Sequence, residues 1–194
     1  ILYIWNDQSL KSRELEINVR NQLGVDQQLV TPKEIHDLEP NIKPIYHGGV
    51  YYQYGRHARN PKKILLKLYD LFLKKGGKFL KMNIKDINFD EKKPVIKSET
   101  QSFLFDKIVI ACGSFSKKLT DNLGEKIPLD TERGYHVHFK DCDHLLSRPV
   151  IFQNRGFGIT PMEQGLRVVG TVEFGGLDNP LSKSRVKNLI DNAK

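Results

Sequence analysis

The stretch "FDKIVIACGSFSKKL", residues 105–119, constrains the fold more than any other. Its core, Ile108 to Ala111, is apolar and β-branched, too short for a typical helix, and it stops at Gly113. A continuous apolar run of this length predicts a strand covered on both faces, as in a parallel sheet. Ser114 or Ser116 stands where a cap for the following helix belongs. Strand, tight turn and helix in this order are how an α/β sheet presents a strand end to a nucleotide. Yet no G-x-G-x-x-G occurs anywhere in the chain, so the phosphate-cradling half of such a site is missing.

The flanking sequence predicts what surrounds this strand. Residues 1–5 read as a strand. Residues 10–23 read as a helix, with Ser9 at the N-cap and Gly24 beyond the end. "TPKEIHDLEP" predicts a short helix: Thr31 caps it, Pro32 opens it, Glu34 completes a capping box and Pro40 stops it. Gly48-Gly49 reads as a turn, followed by an aromatic strand from Val50 to Tyr54. Asn60-Pro61 opens a helix with an apolar face of Ile64, Leu65, Leu68, Leu71 and Phe72, ended by Gly76-Gly77. The strand expected after it would complete a right-handed parallel crossover. A meander is predicted near 84–89, 94–98 and 102–110. Four antiparallel strands then lie in "RGYHVHF", "RPVIFQ", "GFGITPM" and "LRVVGTVEF". A last helix, about 182–192, begins at Ser182. The expected class is α+β: β-leaning parts at both ends, 1–57 and 125–194, enclose an α/β segment with a β-meander at 58–124.

Composition narrows the function. The 194 residues carry 31 Lys+Arg against 23 Asp+Glu, a net charge of +8. Such a charge attracts nucleic acid, anionic lipid or acidic partners. However, the lysines are scattered over predicted helix faces and turns and no nucleic-acid motif occurs, so no nucleic-acid partner is expected. A basic binding module without catalysis is the alternative of another class, and it would bind polyanions with a steep salt dependence. Apolar runs fall far short of the ~20 residues of a membrane span. The chain opens "ILYIWNDQSL", without Met or a basic leader, inside a predicted strand; this is the expectation for a piece of something longer. Cys112 is expected buried in its strand and Cys142 in a polar loop, with no C-x-x-C between them, which argues for a reducing compartment.

Catalytic motifs are absent: no G-x-S-x-G, no H-E-x-x-H, no P-loop. His136 and His138 fall at i and i+2 and share a strand face. No carboxylate or cysteine stands at ligand spacing, so no metal site is expected. Aromatic and polar residues gather in two places, Tyr46 to Tyr54 and Arg133 to His138. Such groups line pockets or simply pack on sheets.

Four blocks in order resemble the FAD-dependent amino-acid oxidoreductases of the D-amino-acid oxidase superfamily, and within it the D-amino-acid dehydrogenase small subunit. They are "GGVYYQYGRHARNPKKILLKLYDLFLKKGGKF", "IVIACGSFSKKL", "IPLDTERGYHVHF" and "GITPMEQGLRVVGTVEFGGLD", and they span essentially the whole chain. The resemblance implies a substrate-binding lobe (1–57 and 125–194) interleaved with part of a Rossmann-like FAD-binding lobe (58–124). It implies FAD as cofactor and a small amino-acid substrate, most often a D-amino acid. Glycine, sarcosine or a 2-hydroxy acid is the related alternative. The family's phosphate loop would lie upstream of Ile1, and the arginine that typically holds the substrate carboxylate downstream of Lys194. The piece alone is therefore expected neither to hold FAD tightly nor to turn over. The parent would be cytoplasmic or peripheral to the inner membrane.

By position, the resemblance assigns Ala111, Cys112 and Gly113 to the strand end near FAD, and Ile84 to an apolar position whose backbone meets the adenine end. Phe115 stands where the family usually has Trp. Arg133, Tyr135 and His136 match the RGY strand of the substrate lobe, and Tyr52 a residue near the substrate cleft. Glu173, in "GTVEF", is either a structural partner or a substrate contact. No catalytic residue is assigned. The implied chemistry is hydride removal from an amino-acid α-carbon by the flavin, with the protein orienting and polarising.

Overall fold

A computed structural model describes residues 1–6 and 11–194, the side chains of 11 and 12 excepted. Among the described residues, five α-helices and ten strands form one mixed sheet and one small antiparallel sheet. They fall into two units. One comprises Ile1–Leu65, Gly134–Glu173 and Pro180–Lys194; the other comprises Leu66–Arg133 and Phe174–Asn179.

The first unit is built on a seven-stranded sheet of order β2-β3-β1-β8-β9-β10-β7. The strands are β1 (Leu2–Trp5), β2 (Gln28–Val30), β3 (Gly48–Tyr51), β7 (Arg133–Lys140), β8 (Val150–Phe152), β9 (Phe157–Met162) and β10 (Gly165–Glu173). β1 lies parallel to β8, while β1–β3, β2–β3, β8–β9 and β9–β10 are antiparallel. Strand alternation gives the sheet two faces. Leu2, Ile4, Val150 and Val168 point to one face and are almost fully buried. There they meet Ile35 of α2 (Pro32–Leu38) and Leu189 of α5 (Lys183–Asn192). Each such side chain contributes about 1.5–3 kcal/mol by leaving water.

Local signals explain the helices of this unit. The capping box of α2 forms as expected: Glu34 N donates to Thr31 Oγ1 and Thr31 N to Glu34 Oε2. The bonds that the Glu34 carboxylate accepts from Thr31 N and then from Thr31 Oγ1 hold it below its ordinary value. α5 starts after Ser182, but the Ser182 hydroxyl pairs with Ser184 Oγ rather than capping the helix. α1 (Lys11–Gln22) forms where expected; its Ser9 cap and Leu10 lie outside the described residues. The apolar side chains Leu15 and Val19 of the helix, and Leu23 just beyond it, are exposed. Instead the basic side chains of α1 lie over aromatic rings, Arg13 over Trp5 and Arg20 over Tyr52.

Gly48 and Gly49 are not a turn but the start of β3. They are glycine because of what passes beside them. A Cβ on Gly49 would stand 2.6 Å from the Tyr3 carbonyl oxygen, and one on Gly48 would stand 3.3 Å from the Trp5 ring. Close approach to a neighbouring strand, not chain reversal, requires them.

The second unit carries a three-stranded antiparallel sheet, β4 (Ile84–Asp90), β5 (Lys93–Ser98) and β6 (Ser102–Leu104). α4 (Ser116–Asn122) packs on β4, buries Leu119, and is tied down by Asn122 Nδ2 donating to Asp86 Oδ1 at 3.1 Å. α3 (Pro61–Lys74) forms with the predicted ends: Asn60 Oδ1 accepts from Lys63 N, and Gly76 takes a left-handed φ of +85°.

Several expectations fail here. The third strand of the meander ends at Leu104, and residues 107–112 belong to no sheet. Val109 is 88% exposed and Cys112 is exposed rather than buried. An apolar run becomes a strand only beside an edge that accepts its hydrogen bonds, and none of the described strands lies beside this run. No parallel crossover links β3 to β4, because the two strands belong to different sheets. The apolar face of α3 is real in sequence but bare, with no buried residue along the helix. At the helix start, Ser116 does not cap α4. Its Oγ accepts from Cys112 N at 3.1 Å and so fixes the turn before the helix.

Candidate functional site

The sheet of the first unit has a second face, opposite its core. Tyr3, Ile151, Gly158 and Val169 share it by register, and Arg167 stands opposite Thr160 on it. On β7, burial alternates: Tyr135 is buried, while His136 and His138 are exposed. His136 therefore faces away from the core, and Arg167 Nη2 lies 3.4 Å from its Nδ1. Partial burial, then Arg167, then His138 hold the His136 imidazole below the ordinary histidine value. All three causes penalise a second positive charge.

Tyr135 takes the other direction. It is 6% exposed and packs with Phe157, Val168 and Leu189. Its hydroxyl donates to the Glu173 carboxylate and accepts from Ser182 N, joining β7, β10 and the start of α5. This contact shows a reversal in β10. Arg167 and Glu173 are six residues apart and should share a face, yet one meets His136 and the other Tyr135. Between them Thr171 has a φ of +58°, and its Oγ1 is buried without a hydrogen-bond partner. A left-handed residue in a strand flips the alternation beyond it.

Arg133 begins β7 and belongs to the second unit, where its Nη2 approaches the carbonyls of Gly176 and Leu177 at 3.3 Å. Tyr52 follows β3 at the far side of the sheet. It stands edge-on to Tyr3 with centroids 5.4 Å apart and lines an open cavity of about 390 Å³ with Arg20, Asp26 and Tyr54. Burial, the largest influence, holds its phenol above the ordinary value, against an opposing pull from Arg20. β3 and β7 are five strand spacings apart in the sheet order, about 24 Å at ~4.8 Å each. The structure thus brings His136 to Arg167 but does not bring Tyr52 to His136.

The residues assigned to the cofactor all lie in the second unit. Ile84 opens β4 and is half-buried. Ala111, Cys112 and Phe115 are exposed. Gly113 has a φ of +57°, and nothing lies within 4 Å of where its Cβ would stand. The backbone at 111–113 is therefore open to close approach by a ligand. Beside this turn, Ser114, Lys117, Asn122, Thr131 and Leu177 line an open cavity of about 450 Å³. Among the described residues no group of three or more His, Cys, Asp or Glu could hold a metal ion. Nor is any helix long and apolar enough to cross a membrane.

Sequence reading passed over Arg167 and Glu39. Arg167 sits in an alternating strand where a lone arginine reads as surface. Glu39 is 1% exposed and receives Ser147 N and Arg148 Nε, at 3.0 and 2.9 Å. No spacing in the sequence links Glu39 with a pair more than a hundred residues away.

Comparison with known proteins places these features in context. A family model described as FAD dependent oxidoreductase matches residues 1–194. The D-amino-acid oxidase of Bradyrhizobium diazoefficiens is 28% identical over 179 residues, 92% of this chain and 42% of that protein. D-amino acid dehydrogenase 3 of Mesorhizobium japonicum is 24% identical over 202 residues, 98% of this chain and 49% of that protein. Glycine oxidase from Geobacillus kaustophilus superposes with a TM-score of 0.84 at 20% identity, covering 99% of this chain and 52% of its own. The chain spans less than half the length of these two curated relatives.

Proposed function

The chain belongs to the family of FAD-dependent oxidoreductases, and on that premise we propose that it forms the central part of an enzyme that oxidises amino acids, D-amino acids foremost. The observation that carries this reading is the match of the family over all 194 residues, joined to similarity with a D-amino-acid oxidase over 92% of the chain.

The second unit fits a role at the cofactor. The exposed turn Ala111–Gly113, with its left-handed glycine and open flank, admits a large ligand against backbone. In this reading Ala111, Cys112, Gly113 and Phe115 contact FAD, and Ile84 lies toward its adenine end. When bound, FAD supplies the acceptor for the hydride of the substrate α-carbon. The bare apolar face of α3 and the unpaired run 107–111 are surfaces that this reading expects further polypeptide of the cofactor lobe to cover. The 194-residue chain alone is accordingly proposed not to retain FAD.

On the substrate side, His136 is the assigned residue on the face away from the core. Tyr135 acts from beneath the sheet by fixing Glu173 and the start of α5. Arg133 holds the 176–177 backbone, and Tyr52 borders a separate cavity. Substrate selection thus centres on the β9–β10–β7 end of the sheet.

The test is a substrate panel on the protein expressed at the length of its relatives. Purified protein is expected to be yellow and to reduce an artificial dye with D-amino acids and not with L-amino acids. A colourless protein, or one reduced by no amino acid, overturns the reading. The structural likeness to glycine oxidase favours a second reading, oxidation of glycine or its N-methyl derivative. Reduction by these, and not by larger D-amino acids, would select it.

A further inference from the structure

Helix α1 lies against the first unit with its cations inward. Arg13, Ile17 and Arg20 are half-buried and follow one another at helical spacing, while Leu15 and Val19 of the same helix are exposed. Arg13 stands 4.7 Å from the centroid of the Trp5 ring, and Arg20 stands 5.5 Å from that of Tyr52. An aromatic face attracts a cation through its quadrupole. Here the rings hold guanidinium groups, and aliphatic side chains of the same helix stay in water.

Arg20 leaves aromatic surface free beside it. It lines the open cavity of about 390 Å³ together with Tyr3, Tyr52, Tyr54 and Asp26, a volume within the range of small-molecule sites. Tyr3 and Tyr52 stand edge-on with centroids 5.4 Å apart, and Tyr54 is 67% exposed. Three rings thus border one space. The charges around it favour a cation. Arg20 is already paired with Glu16, one turn before it. Asp26 is exposed and holds no ion pair among the described residues. Arg56 turns its guanidinium to the carbonyls of Gln53 and Gly55. Aromatic faces beside a carboxylate are the surroundings that recognise ammonium groups.

We infer that Tyr3, Tyr52 and Tyr54, with Asp26, form a binding site for a small organic cation, which shares the Tyr52 ring with Arg20 of α1. The site goes beyond the function proposed above and does not depend on it. The same chemistry has two sources: a permanently charged quaternary ammonium, or the protonated amine of an amino compound.

The experiment reads the rings directly and needs no turnover. Tyrosine ring NMR signals of the 194-residue chain are followed while choline or ethanolamine is added, with sodium chloride at equal ionic strength as the baseline. Ile1 also lines the cavity. Its amino group is held below the ordinary 8.0, by burial first and then by Arg148 and Arg56, so work at pH 8.5 removes its charge. The Tyr52 and Tyr54 signals are expected to move saturably. The uncharged alcohol in which carbon replaces the choline nitrogen is expected to move them far less. Tyr52→Leu should weaken binding about tenfold, and Tyr52→Phe, which keeps the ring, should restore most of it. Asp26→Asn should weaken it about threefold. Arg20→Met, which frees the Tyr52 ring of the chain's own cation, should tighten it. An equal response to the uncharged alcohol, unchanged binding in Tyr52→Leu, or no response to either cation beyond sodium chloride overturns the inference. Circular dichroism of each variant shows that a lost response is not lost folding. Whichever of choline and ethanolamine binds more tightly assigns the source.

Discussion

Arg148 donates its Nε hydrogen to Glu39 Oε1 across 2.9 Å, tying the end of α2 to the approach to β8. Ser147 adds its backbone N–H to the same carboxylate. Arg148 also lies over the Tyr51 ring, 5.1 Å from its centroid. Removing one partner of such a buried pair leaves the other without compensation. Glu39→Ala is expected to destabilise the chain by about 3–5 kcal/mol, and Glu39→Gln by less, since the amide oxygen still accepts. Urea unfolding of the two variants gives both numbers; a cost below that of an ordinary surface change would contradict the arrangement.

His136 makes stability depend on acid. Its folded-state pKa lies below the ordinary 6.5, from burial first and then from Arg167 and His138. The unfolded chain therefore binds a proton more readily than the folded one. The resulting stabilisation is present above pH 6.5 and is lost as pH falls through the lower folded value. His136→Gln should flatten that part of the stability profile. Arg167→Met should move the His136 titration upward, toward the ordinary value, in an NMR pH series.

Tyr135 joins three elements through one oxygen. Tyr135→Phe keeps the ring in its cluster but removes the bonds to Glu173 and Ser182 N. The expected cost is about 1.5–3 kcal/mol, the range for hydrogen bonds to charged groups. Hydrogen exchange at the first turn of α5 should accelerate more than exchange in β1, which lies elsewhere in the sheet.

Leu68 is 59% exposed on α3, as bare as the sequence would make it buried. Leu68→Lys in the 194-residue chain is expected to change stability by no more than about 0.5 kcal/mol and to reduce self-association in light scattering. Leu2→Ala, in the core, should cost about 2–5 kcal/mol. A Leu68 variant as damaging as the Leu2 variant would show that α3 is covered.

Elements with their own punctuation were legible in the sequence. The Thr31 box, the Asn60 cap and the Gly76 stop predicted α2 and α3 because caps are local chemistry. Strands β7 to β10 were legible from alternation. Features that need a distant partner were not. The run at 107–111 reads as a strand, yet strand formation requires a neighbouring edge, which composition cannot supply. Gly48-Gly49 reads as a turn because close approach by Tyr3 and Trp5 leaves no trace near the glycines. At the candidate site, His136 was legible through the RGY block. Arg167 was not, because its register against β7 is fixed only when the sheet assembles.

Thr171 divides β10 into two stretches with separate obligations. Upstream of it, Arg167 meets His136 on the outer face; downstream, Glu173 meets Tyr135, which also holds the start of α5. A strand without this twist would bind the two demands together, so that each change of Arg167 disturbed the scaffold's register. With it, the side chains before and after Thr171 lie on opposite faces of the sheet, so a substitution on one stretch leaves the surroundings of the other in place.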